Sequence, residues 1–327
     1  ILSCVDLHNA GHEREEKMNT IKGMLLAATL LAGPAWAENV MLSEDFWKDA
    51  DAAKVAAALE AGNPAEETGA DQFSPLYLAL QAGADFEVIR MLVEAGADVN
   101  AYGNDASPIM LAARSCSVDC INYLIAQGAD LSVVDDSWRD ALNWGAGGQR
   151  NPEVLAALVA AGAKDSADIN GRTPAFTAAR MNPSLDTLKY LVEVSDVTVV
   201  DVNGNNALMW SALRNDNVEV VAYVYDLVED PMLLNEEGRN ALMLSAIRKR
   251  KTTDVPEFLL TKGYDVNATD ANGRSALSLA AEGNTVDAVT AFLDAGAAVD
   301  SVDANGRSPL HYAALSNSGD VVRTLIE

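Results

Sequence analysis

Histidine and cysteine are the side chains best suited to acid–base, nucleophilic or soft-metal chemistry, and this chain has three of each: His8, His12, His311, Cys4, Cys116 and Cys120. His8, His12 and Cys4 fall in the first 17 residues, ahead of a processing signal described below. That leaves His311 as the one imidazole for the rest of the chain. A nucleophile needs a base beside it and a third group to orient that base, and a single histidine with no second one to support it does not supply the set. Three cysteines are too few for a disulfide framework or a thiolate metal site. Asp and Glu number 48, yet nothing in their spacing singles out a catalytic pair. Asp201-Val202-Asn203-Gly204, Asp270-Ala271-Asn272-Gly273 and Asp303-Ala304-Asn305-Gly306 resemble the start of a calcium loop. The twelfth position, which should be Glu, is Ala212, Ala281 and Ala314. These read as tight turns. The expectation is a protein without catalytic residues, cofactor or metal.

Arginine is distributed with more order. Arg139, Arg172, Arg239, Arg274 and Arg307 follow turn signals, and Arg114, Arg180, Arg214 and Arg248 close apolar stretches. Related phrases begin at Ser74, Ser107, Asp140, Thr173, Asn206, Asn240, Ser275 and Ser308, with spacings of 33, 33, 33, 33, 34, 35 and 33 residues. The phrases include Ser74-Pro75-Leu76-Tyr77-Leu78-Ala79, Thr173-Pro174-Ala175-Phe176-Thr177-Ala178-Ala179 and Ser308-Pro309-Leu310-His311-Tyr312-Ala313-Ala314. Ser, Thr, Asp or Asn caps a helix by accepting a bond from a free N–H, and Pro in the first turn loses none. A second apolar run of helical period follows, as in residues 87–95, and a glycine such as Gly96 closes it.

This pattern resembles the ankyrin repeat, whose Thr-Pro-Leu-His-x-Ala phrase these lines echo over residues 70–327. The resemblance implies an all-α solenoid of about eight stacked helix-turn-helix units with projecting β-turn or hairpin loops, a stack that buries one continuous core. Residues 38–69 read as a degenerate capping unit, and the chain stops midway through a second helix, so the last repeat is expected to be truncated. The resemblance also implies a structural hydrogen bond from His311 to the neighbouring turn, and a concave surface that grips protein partners. Both arginine positions line that surface in the family. Trp138, Arg139, Arg172, Arg180, Arg214 and Arg239 are the expected contacts, Trp138 because it stands where a tip glycine belongs. Arginine is also simply common at these consensus positions. Trp144 and Trp210 replace the middle leucine of a first helix, a place more often in the core. Arg248-Lys249-Arg250-Lys251 falls in a turn enlarged by two residues and reads as a solvated loop or a partner contact.

Charge and processing narrow the partner. The net charge is −25, and a surface so acidic repels phosphate backbones and anionic headgroups. Nucleic acid and membrane are therefore poor partners; another protein is the expected one. Residues 18–22 begin with Met and include Lys22, residues 23–32 are apolar, and Ala35-Trp36-Ala37 precedes Glu38. This is the order of a secretory signal peptide over 18–37, with cleavage between Ala37 and Glu38; an apolar stretch this short does not span a bilayer, which takes about 20 residues. Residues 1–17 then lie upstream of the true start, and the processed protein is expected in a bacterial periplasm as a soluble monomer. In that setting the resemblance extends to ankyrin proteins that support catalases and oxidative-stress resistance, to immunity proteins that neutralise a secreted toxic enzyme, and to exported effectors. An oxidising compartment favours a bridge between Cys116 and Cys120. A core position for Cys120 and four-residue helical spacing count against it.

Overall fold

A computed structural model describes residues 39–69, 72–248 and 252–327. The expected signal segment, with Ala37 and Glu38, lies outside the described residues, as do Lys249, Arg250 and Lys251. Two short helices come first, α1 (Glu44–Trp47) and α2 (Ala52–Glu60). Eight helix pairs follow. The first four are α3 (Pro75–Ala82) with α4 (Phe86–Glu94), α5 (Pro108–Ser115) with α6 (Val118–Ala126), α7 (Ala141–Gly148) with α8 (Pro152–Ala160), and α9 (Pro174–Met181) with α10 (Leu185–Val194). The last four are α11 (Ala207–Arg214) with α12 (Val218–Leu227), α13 (Ala241–Ile247) with α14 (Asp254–Thr261), α15 (Ala276–Gly283) with α16 (Val286–Asp294), and α17 (Pro309–Ser316) with α18 (Gly319–Ile326). Among the described residues no strand forms. The projecting loops are turns, with isolated bridges at Gly103–Ala106, Val200–Asn206 and Thr269–Ser275.

Local sequence accounts for these boundaries. Asp140, Thr173, Asn206 and Asn240 each accept from the backbone N–H three residues on, which starts the first helix of the pair. At the far end of α4, Gly96 takes a φ of +101° and Ala97 N–H donates to Leu92 O at 3.0 Å, closing the helix by the left-handed route. First helices pack on first helices of adjacent pairs, and second on second. Buried alanines such as Ala113, Ala146, Ala179, Ala212 and Ala246 let the first helices approach closely, while Leu124, Leu158, Leu191, Val224 and Phe292 fill the space beneath the second ones. One pair alone would leave either face wet, so each pair is stable only against its neighbours. At the N-terminal side Met41 and Trp47 are buried, and the Trp47 indole N–H donates to Met41 O at 2.9 Å.

Two polar ladders hold the register. Gln149, Asn182, Asn215 and Asn317 sit just past the ends of first helices, and each amide donates to two carbonyls of the preceding pair. Asn182, for example, reaches Ala146 O at 3.0 Å and Gln149 O at 2.7 Å. Along the loop tips, Ile169, Val202, Glu236, Ala271 and Ala304 donate backbone N–H bonds to Ser137, Asn170, Asn203, Glu237 and Asn272 of the preceding loop.

Candidate functional site

Each loop is built around a buried acceptor. Asp135 accepts the backbone N–H groups of Ser137 and Arg139, both at 2.9 Å, and its other oxygen takes Arg139 Nε at 2.8 Å and Trp144 Nε1 at 3.0 Å. Asp168 holds Arg172 in the same way, Asp201 accepts Trp210 Nε1 at 2.6 Å, and Asp303 accepts Arg307 Nε at 3.0 Å and the Tyr312 hydroxyl at 2.6 Å. Burial of Asp135 works against ionisation, but the bonds from Arg139 and Trp144 outweigh it and hold its carboxyl below the usual range. The Tyr312 hydroxyl, helped by the Arg307 bonds, holds Asp303 far lower still. The Asp-x-Asn-Gly segments are thus self-satisfied turns, and the described residues hold no group of side chains arranged for a metal ion.

This network divides the expected contact residues. Arg172 and Arg239 are turned back onto carboxylates, leaving 14% and 11% of their side chains exposed; Arg139 is also paired, with Asp135, but 42% exposed. Arg239 bridges Asp270 at 3.0 Å and pairs with Glu237, in a separate hollow lined by Asn203, Asn205, Trp210 and Glu236. Arg180 and Arg214 make no ion pair among the described residues, nor does Arg114. Trp138 is 59% exposed, with a φ of +63° where the corresponding tips carry Gly171, Gly204, Gly238, Gly273 and Gly306.

Arg139, Arg172 and Arg180 come together in one groove with Arg114, Ser137, Asn143, Trp144, Gly147, Thr177, Met181 and the carboxylate of Asp168. Its walls are the loop tips and the inner helices α5, α7 and α9. Gly147 and Gly148 leave its floor low, and the Arg114 side chain lies across Gly148, where a Cβ would come within 2.8 Å of Arg114 Cγ. Arg139 stacks over Trp144 at 5.1 Å, and Arg180 over Trp210 at 4.7 Å with Arg214 at 5.9 Å from the same ring. The Arg180 Nε–H is enclosed and has no partner. Burial, reinforced by the guanidiniums of Arg172 and Arg214, pushes Arg180 down to about 10.

Trp144 and Trp210 pack against the core as expected, but are only partly buried: Trp144 lines this groove and Trp210 the hollow beside Arg239, and their indole N–H groups anchor the loops. The recurring interval Asp, Arg four later, Trp or Tyr nine later (135/139/144, 303/307/312) carries that signal in the sequence. Cys116 and Cys120 are disulfide-bonded, with Cα atoms 5.9 Å apart. The objection from helical spacing fails because Cys116 is an extended residue after α5 (φ −75°, ψ 166°), so the bridge spans a turn. Cys120 is nonetheless fully buried. His311 Nδ1 accepts the Ser308 N–H at 3.1 Å, so it caps its own helix where a bond to the neighbouring turn was expected.

Known proteins of several kinds share partial similarity with this chain. The chain is 29% identical over 118 residues to the potassium channel AKT2/3 of Arabidopsis thaliana, covering 36% of this chain and 14% of the channel. It is 32% identical over 165 residues to the palmitoyltransferase AKR1 of Lachancea kluyveri (48% of this chain, 22% of that protein). It is also 26% identical over 204 residues to alpha-latrocrustotoxin-Lt1a of Latrodectus tredecimguttatus (57% and 14%). The chain thus spans less than a quarter of each of these proteins, whose functions differ from one another. The sequence pattern of ankyrin repeats matches residues 48–135, 142–233 and 242–327, and with the stacked pairs and bonded tips in place, the chain belongs to the ankyrin-repeat family.

Proposed function

We propose that this protein is an exported, non-catalytic scaffold that holds another protein against its loop tips and inner helices, within a bacterial periplasm. The groove carries the reading: it gathers Arg114 and Arg180, which make no ion pair among the described residues, with Arg139 stacked on Trp144, and Trp138 stands exposed at the adjoining tip of an acidic chain. Arginine and tryptophan are the residues that most often anchor protein interfaces. Ankyrin-repeat folds are typically interaction scaffolds, and the one histidine among the described residues is occupied in a helix cap. Export rests on the Ala35-Trp36-Ala37 signal and the apolar run before it. A role in stress protection fits that compartment; neighbouring catalase or toxin genes would separate it from immunity against a toxic enzyme.

The test is capture of partners from periplasmic extract by wild type, by an Arg114→Glu/Arg180→Glu double variant and by Arg150→Glu, with captured proteins identified by mass spectrometry. Wild type and Arg150→Glu should retain the same partner, and the double variant should lose it by tenfold or more. A partner held equally by all three would place the binding surface elsewhere. Export is checked separately: the protein recovered from periplasm should begin at Glu38.

A further inference from the structure

The groove holds positive charge that the fold does not use. The buried loop carboxylates beside it are engaged: Asp135 by Arg139 and Trp144, Asp168 by Arg172, Asp201 by Trp210 and Asn205. Among the described residues Arg114, Arg180 and Arg214 make no ion pair, and Asp168, the carboxylate that lines the groove with Arg180, is bonded to Arg172, on a chain of net charge −25 in which acidic groups outnumber basic ones two to one. Guanidiniums gathered this way repel one another, and burial raises the cost at Arg180. The Arg180 guanidinium sits over the Trp210 ring, 4.7 Å from its centroid, which restricts the side chain before anything binds. The enclosed Nε–H lacks the acceptor that almost every buried donor has. An incoming carboxylate on the Nε–Nη edge would supply that acceptor and a counter-charge in one step, with two parallel N–H···O bonds.

We propose that this groove is a carboxylate-reading site, taking Glu or Asp side chains from an extended acidic segment of the partner, with Arg180 as the anchor and Arg114 and Arg214 to either side. This rests on the scaffold reading above and adds the chemistry of its partner. The space is about 170 Å³, room for one or two side chains and not for a folded surface. Exposed Met181 and Trp138 at its margin offer apolar contact to residues flanking the acid. Nucleic acid is disfavoured as occupant because the acidic remainder of the molecule opposes a continuous phosphate backbone.

The probe is a blocked octapeptide of alternating Glu and Leu, with Gln–Leu and phosphoserine–Leu counterparts, titrated by calorimetry and by indole fluorescence. Wild type should bind the Glu peptide at least tenfold tighter than the Gln peptide. Arg180→Met, which keeps the bulk and loses the charge, should abolish that preference. Arg180→Lys, which keeps the charge and loses the fork, should fall between, and Arg150→Met should match wild type. Equal binding of Glu and Gln peptides, no binding of either, an unchanged Arg180→Met, or a tenfold preference for phosphoserine each overturns the carboxylate site. If partner capture depends on Trp138 but ignores Arg180, and no Glu preference appears, the carboxylate site falls and the scaffold stands. If Glu selectivity appears and tracks Arg180 while no periplasmic partner is ever captured, the site stands and the scaffold reading falls.

Discussion

Trp138 adopts a left-handed backbone conformation, at φ +63°, that the later tips assign to glycine. The same conformation costs an L-residue roughly 1–2 kcal/mol, and glycine avoids it at an entropic cost of about 0.5–1 kcal/mol. With 59% of its surface exposed, the Trp138 side chain has little burial to offset the strain. Trp138→Gly should therefore leave the fold intact or raise its stability by up to about 1 kcal/mol, read from urea unfolding, while weakening partner capture. A clear loss of stability would mean that the ring supports the neighbouring tips, which would remove it from the list of contacts. This position was legible in the sequence because its equivalents are glycines. The fates of the arginines were not. Arg172 and Arg180 look alike as repeat arginines, yet one is folded onto Asp168 and the other makes no ion pair among the described residues. Which one is spent depends on where a buried carboxylate sits in three dimensions.

Helix starts and stops were the easiest elements to read, since Asp140, Thr173 and Gly96 act on backbone groups within a few residues. The ladder of amides beyond the first helices was missed because its acceptors lie 33 to 36 residues back in the chain. An asparagine after a helix reads locally as an ordinary terminator; its value appears only once the preceding pair is in register. Asn182 is fully buried, donates to Ala146 O and Gln149 O, and accepts the Ser184 N–H at 2.9 Å. Asn182→Ala removes all three bonds and strands the Ala146 carbonyl near the end of α7, while Gln149 O keeps the Thr187 hydroxyl at 3.0 Å. The expected loss is about 2–3 kcal/mol, with faster amide exchange concentrated in residues 145–149 and 182–185. Loss near zero, or exchange spread evenly over the chain, would show that the helices keep register by apolar packing alone. The disulfide belongs to this scale as well: Cys116 and Cys120 are four apart, but Cys116 lies past the end of α5 and α6 begins between them, and that boundary decides whether they meet.

A stack in which each pair touches only its neighbours carries cooperativity along one line, so damage at one seam has a different consequence than damage to a closed core. Gly145 offers a clean place to test this. A Cβ there would lie 2.6 Å from Leu155 Cδ2 and 3.1 Å from Ala113 O, which presses on the partner helix of its own pair and on the pair before it. The later glycine Gly148 meets only the flexible Arg114 side chain. Gly145→Ala should therefore weaken one seam by about 1–3 kcal/mol through overpacking, despite the helix-forming advantage of alanine. In a solenoid that local loss uncouples the two flanks, and the urea transition should separate into two. Trp47 lies in the N-terminal part, while Trp210 reports the part beyond the seam. Single-tryptophan versions, each retaining one of these rings, should then show coincident midpoints in the parent and distinct midpoints in Gly145→Ala. Gly148→Ala should leave the midpoints coincident, because a side chain can move where a backbone carbonyl cannot. One coincident transition merely shifted to lower urea in Gly145→Ala would mean that the stack behaves as a single cooperative body, with the loop-tip ladder carrying coupling across the damaged seam.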